Sequence, residues 1–83
     1  MTYETTAMNK KYLKQLTQFG ETIKSLRLKH KMTQLELAKK SDIGLSTIQR
    51  IENAQIAIGL DIVFTLAEVF EVAPNKLFKG IVV

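Results

Sequence analysis

The amino-acid sequence predicts an all-α fold: a compact five-helix domain over residues 17–79, with an N-terminal extension over 1–16 that is partly helical or disordered and a short apolar tail over 80–83. Three observations predict it. Apolar residues recur at spacings of three and four, the stripe of amphipathic helices. Gly and Pro number only four and one, so the breaks between helices are few and informative. The hydrophobic fraction is 46% without Trp or Cys, which suits one core of Leu, Ile, Val and Ala. A chain of 83 residues does not divide into two domains, because at this size even one core buries only a little over ~60% of the unfolded surface.

Tyr12, Leu13, Leu16, Phe19, Ile23 and Leu26 form the stripe of a first helix that runs to about Leu28, and His30 and Lys31 place positive charge at its negative dipole end. Residues 3–16 read either as a separate helix or as a leading extension. Thr33 opens the second helix: its hydroxyl can cap free N–H groups, Glu36 completes a capping box, and Met32 can pack on Leu37 as a staple. The segment from Gln34 to about Ser41 makes two turns, too short to stand without packing. Asp42, Ile43 and Gly44 form a tight break, with Asp42 tolerable at a left-handed position where Gly costs less. Helical spacing resumes from Leu45 to about Glu52, with Ile48 and Ile51 inward.

Asn53 to Gly59 reads as a loop. Gly59 then serves as a modest N-cap, and Asp61 sits in the first turn of a fourth helix with the stripe Ile62, Leu66, Val69 and Phe70, ending near Glu71. Ala73-Pro74 starts a final short helix that Leu77 and Phe78 anchor and Gly80 stops. The β-prone tail Ile81-Val82-Val83 either packs back on the core or meets a second subunit.

The net charge of +4 is unevenly placed: residues 1–50 hold ten Lys and Arg against four acids, and residues 51–83 hold two against four. A cationic part joined to a mildly acidic one suits a polyanion binder, because Lys and Arg release condensed counterions when they neutralise phosphates. A basic solvated surface accounts for the charge alone equally well. One His, no Cys and singly scattered acids supply no nucleophile with its base, no carboxylate pair and no metal-ligand cluster, so no catalysis, metal or cofactor is expected. No apolar run approaches the ~18 residues of a membrane span, and the N-terminus lacks the apolar stretch of a signal peptide. The expectation is a soluble, cytoplasmic protein with no membrane partner.

Two short helices joined by a tight break, followed by a longer connection and two more helices, form the arrangement that presents a helix to the major groove of DNA. The segment TQLELAKKSDIGLSTIQRIEN from Thr33 to Asn53 closely resembles the helix-turn-helix of the lambda repressor and Cro-like family, also called the xenobiotic response element family, and the resemblance extends over roughly Phe19 to Phe78. Ala38 is small where the two helices approach, while Ile48 and Ile51 fill the angle between them. The resemblance implies sequence-specific binding of double-stranded DNA by a dimeric transcriptional regulator, a repressor by preference, with residues 45–52 as the recognition helix.

It further implies base contacts from Leu45, Ser46, Gln49 and Arg50. Arg50 can pair bidentately with guanine, Gln49 can address adenine, Ser46 either, and Leu45 a thymine methyl. Thr33, Gln34 and Asn53 are implied as phosphate contacts, and Arg27 and Glu52 as a structural ion pair joining the first helix to the end of the recognition helix. The sequence departs from the family at Asp42 and Ala54, where Gly is usual or frequent, at Leu35, which is apolar at an exposed position, and at Gly44, which forgoes a capping side chain.

An antitoxin or a restriction-modification controller would use the same domain for autoregulation, and an antitoxin would also hold a protein partner through the segment before Phe19 or the tail. One such module covers only about 600 to 1,000 Å² on DNA, so a homodimer on a palindromic operator is expected, with half-sites ~34 Å apart or a multiple of that. Leu77, Phe78, Ile81, Val82 and Val83 are the interface candidates, being apolar and distal to the implied DNA face.

Overall fold

The computed structural model describes residues 11–82 and the backbone of residues 2–4. Strand β1 (Thr2–Glu4) precedes four α-helices, α1 (Leu13–Lys29), α2 (Gln34–Ser41), α3 (Leu45–Glu52) and α4 (Leu60–Phe70); strand β2 (Ile56–Ile58) lies between α3 and α4, and a 3-10 helix (Pro74–Phe78) follows α4. The class is all-α, and the five helical segments fall where the apolar stripes and caps put them. The last is a 3-10 rather than an α-helix, with Pro74 in its first turn.

Two segments differ from the sequence reading. Residues 53–59, expected as a loop, contain β2, and the N-terminal extension begins as β1, its antiparallel partner, with Thr2 opposite Ile58, Tyr3 opposite Ala57 and Glu4 opposite Ile56. Three-residue strands show no measurable alternation, and each needs a partner from the other end of the chain, so neither announces itself locally. The other part of the extension reading, at residues 5–10, lies outside the described residues.

The core is a single cluster. Ile23, Leu37, Ile48, Leu66, Phe70 and Leu77 are fully buried, and Phe19, Ile51, Ile56, Val63 and Ala67 surround them; each large side chain so buried stabilises the fold by about 1.5–3 kcal/mol relative to exposure. Helix α1 lies across α3 and the 3-10 helix, while α2 lies against α3 and α4. The tail packs back: Gln15 Nε2 donates to the Val82 carbonyl at 3.0 Å and Gln18 Nε2 to that of Gly80 at 3.5 Å. Tyr12 and Leu13, read as the start of the inward stripe, are instead exposed, as is Leu28 at its far end.

Every α-helix ends through a left-handed residue that is not glycine: Lys31, Asp42, Ala54 and Glu71, with φ between 56° and 57°. In three of them the bonding is that of a Schellman closure. The N–H groups of Met32, Gln55 and Val72 reach back to the carbonyls of Arg27, Arg50 and Ala67 at 3.0, 2.8 and 3.0 Å. The αL conformation costs a non-glycine residue roughly 1–2 kcal/mol, and these bonds offset it by satisfying carbonyls that the helix ends leave without partners.

Gly20 lets α1 come close to the end of α3. A Cβ built there would stand 2.5 Å from the Ile51 carbonyl oxygen and 3.0 Å from that of Glu52. The obstacle is backbone, at the C-terminal end of α3, which cannot turn aside as a side chain would. We therefore expect Gly20→Ala to destabilise the protein by about 1–3 kcal/mol through overpacking, although Ala in a helix interior is otherwise favoured over Gly by ~1 kcal/mol. Urea unfolding measures the difference, and a variant as stable as wild type would show that α1 and α3 can separate freely.

Candidate nucleic-acid interface

Helix α3 is two-sided. Ile48 and Ile51 are buried, whereas Leu45, Ser46, Gln49 and Arg50 are all exposed. At 3.6 residues per turn the four exposed positions share one continuous arc, so the structure brings the implied base-reading residues onto one surface. The helix starts at Gly44, in extended conformation and without a side-chain cap. A Cβ on Gly44 would find only Thr47 Oγ1 within 4 Å, at 3.8 Å, so the first turn of α3 is open to an approaching surface.

The other end of α3 is bolted to the domain. Arg27, buried in the last turn of α1, donates from Nε to Glu52 Oε2 at 2.7 Å and from Nη2 to Oε1 at 3.1 Å, a bidentate fork. Its Nη1 donates to the Met32 carbonyl at 2.9 Å, which holds the turn leading into α2. The side chains are only 9% and 3% exposed, so each charge depends on the other. The pair implied by the resemblance is therefore present, with two partners more than foreseen, the Met32 carbonyl and Gln34. Gln34 Nε2 also donates to Glu52 Oε1, at 3.1 Å, so one of its two amide hydrogens is engaged within the protein.

At the start of α2 the capping box closes as expected. Thr33 Oγ1 accepts from the Glu36 N–H at 3.1 Å, and the Thr33 N–H donates to Glu36 Oε1 at 2.9 Å. The Thr33 N–H, and then its hydroxyl, hold the Glu36 carboxyl below the usual carboxylate range. Thr33 and Asn53 are both exposed, at the N-terminus of α2 and the C-cap of α3. They lie at the two ends of the helix pair.

The implied dimer residues fare differently. Leu77 is fully buried in the core, as its reading as an anchor of the last helix requires, and cannot present its side chain to a second copy; this corrects its reading as an interface residue. Ile81 is half-buried against the core. Phe78 is 42% exposed, its ring packed against Phe19 at a centroid distance of 5.3 Å. Val82 is largely exposed, and Val83 lies outside the described residues. On α4, Leu60 at 67% and Phe64 at 56% exposure also face outward. Sequence reasoning missed these, because a helix with apolar residues on most of its surface hides which of them exceed the core's needs. It also missed Gly20, although a glycine inside a strong helical pattern is itself a signal of close packing.

A family model described as helix-turn-helix matches residues 23–77, well over half of the chain. The chain belongs to the helix-turn-helix family. Among solved structures, the restriction-modification controller protein C.AhdI from Aeromonas hydrophila is similar at 28% sequence identity and a TM-score of 0.74, over 76% of this chain and 96% of that one. No curated protein matches. Within the helix-turn-helix of this chain, α2 and α3 are the paired helices and the lambda repressor and Cro-like pattern read from Thr33 to Asn53 coincides with them. Among the described residues, no helix is long and apolar enough to cross a membrane.

Glu52 tests how the helix pair is held. Glu52→Ala strands the Arg27 guanidinium in a nearly buried position, and we expect a loss of about 3–5 kcal/mol together with loss of DNA binding. Thermal unfolding gives the first and a mobility shift the second; an unchanged melting temperature would contradict the clamp.

Proposed function

We propose that this protein is a dimeric transcriptional repressor that reads a palindromic operator in cytoplasmic double-stranded DNA, with α3 in the major groove. Leu45, Ser46, Gln49 and Arg50 contact base edges, and Thr33, Gln34 and Asn53 contact phosphates. The observation that carries the proposal is the two-sidedness of α3: four exposed side chains on one arc of a helix whose opposite face and far end are fixed to the core by Ile48, Ile51 and the Arg27–Glu52 fork. A rigidly held helix can read sequence, because base-edge hydrogen bonds discriminate only when their donors are fixed in position. The function calls for neither catalysis nor a cofactor.

A second reading, control of a restriction-modification operon, is favoured by the similarity to C.AhdI. It differs in the genes regulated and leaves the roles of the side chains unchanged.

Dimerisation is assigned to the outer face of α4 in place of the tail. Leu60 lines an apolar groove of about 340 Å³ together with Tyr12, Leu16, Ile58, Phe78 and Ile81, and Phe64 is exposed one turn further along α4. A protrusion next to a groove suits a two-fold interface, in which each copy's projection enters the other's recess. The domain measures 33 × 25 × 20 Å, a size that lets two copies side by side place their α3 helices one turn of DNA apart, ~34 Å.

Two measurements test this. Selection of sites from random duplex DNA should enrich a palindrome, and Arg50→Ala should lose discrimination at one base pair per half-site by about 1–3 kcal/mol, with wild-type affinity falling steeply in salt; absence of any enriched motif would refute sequence reading. In sedimentation, the double substitution Leu60→Glu with Phe64→Glu should give a monomer, whereas removal of residues 82 and 83 should leave the dimer intact. The reverse pattern would return the interface to the tail.

A further inference from the structure

Among the four exposed side chains of α3, Ser46, Gln49 and Arg50 carry hydrogen-bonding groups and Leu45 does not. Leu45 is 37% exposed: most of its side chain is held against the protein and only part projects. It is the first residue of the helix, preceded by Gly44, whose missing side chain leaves open space up to Thr47. A base edge can therefore come close to Leu45 without first meeting a polar cap. In the major groove the apolar feature of a base edge is the methyl group at C5 of thymine. Cytosine methylated at C5 presents the same group at the same ring position, while unmethylated cytosine presents a hydrogen there.

We infer that Leu45 reads the C5-methyl group of a pyrimidine, so that operator affinity responds to C5 methylation of cytosine as well as to the identity of thymine. This rests on the proposed placement of α3 in the major groove and adds a chemical signal to it. A side chain that recognises only the methyl cannot tell the two pyrimidines apart; the distinction falls to whichever neighbour meets the exocyclic group at C4. DNA methylated at that position would then be bound more tightly than the same sequence unmethylated. Burying one methyl is worth a factor of about four in affinity per half-site, and about fifteen when both halves of a symmetric site are changed.

The test uses the full chain and its selected operator, with wild type and Leu45→Ala titrated side by side after thermal unfolding has shown both to be folded. Each thymine is replaced in turn, symmetrically, by deoxyuridine, which removes only the methyl. At one position per half-site the replacement should weaken wild type about fifteenfold in total and leave Leu45→Ala unaffected. Cytosine placed at that same position should regain affinity for wild type, but not for Leu45→Ala, when it is methylated at C5. Selective binding by wild type, with thymine and deoxyuridine distinguished equally by both proteins or by neither, would overturn the inference and leave the DNA-reading function standing. Failure of wild type to select any operator would overturn both.

Discussion

The position of α3 depends on one contact system, in which Arg27 from α1 grips Glu52 at the last turn of α3 while Gly20, two turns earlier on α1, lets the α3 backbone come within reach. Neither works without the other. Any side chain at position 20 meets the Ile51 carbonyl, and a wider separation would stretch the 2.7 and 3.1 Å bonds of the fork. Because the pair is nearly buried, stretching it exposes each charge to a low-polarity environment with weaker compensation. The cost of a small displacement is correspondingly high. A pair of this kind adds little net stability over an apolar substitute; its contribution is to allow one geometry and penalise its neighbours.

That constraint matters because α2 and α3 are each eight residues long, below the length at which a helix holds together on its own. Their order comes from outside. Thr33 and Glu36 close the start of α2, Leu37 and Ala38 press it on the core, and Gln34 ties its first residue to the same Glu52 carboxylate that Arg27 holds. One carboxylate thus joins the start of α2 and the end of α3 to α1. The left-handed residues Asp42 and Ala54 then end each short helix abruptly, which keeps the break between them to Asp42, Ile43 and Gly44. Gly would adopt these conformations with less strain, but the surrounding bonds hold both residues in place.

Much of this was legible in the sequence because it is local. The capping box, the break at Asp42 to Gly44, the inward Ile48 and Ile51, and Pro74 at the start of the last turn are written within four or five residues of where they act, and α2 and α3 have the bounds read for them. Arg27 and Glu52 came from the family resemblance, not from spacing, since nothing in the intervening residues couples the two positions. What stayed hidden depends on distant parts of the chain: the β1–β2 pairing, the bond from Gln34 to Glu52, and the outward position of Leu60 and Phe64. An apolar residue on α4 reads the same whether it closes the core or faces outward, and only the arrangement of the helices decides that Leu60 and Phe64 are outside.

The proposed use of Leu60 and Phe64 in dimerisation also fits the uneven charge of the chain. The basic residues lie mostly up to Arg50, and the segment from α4 onward carries Asp61, Glu68 and Glu71 against Lys76 and Lys79. A face meant for phosphates gains from cations, because each phosphate neutralised releases counterions. A face meant for a second copy of the same chain does not, since two-fold symmetry brings like residues near one another and uncompensated cations would repel across the axis. In the dimer we propose, the α4 face is therefore best apolar and only weakly charged. In that proposal the two jobs are separated along the chain as well as in space: α2 and α3 would supply the reading surface and α4 the symmetry, while α1 underlies the first through Gly20 and Arg27 and its opening residues, Tyr12 and Leu16, border the groove beside Leu60.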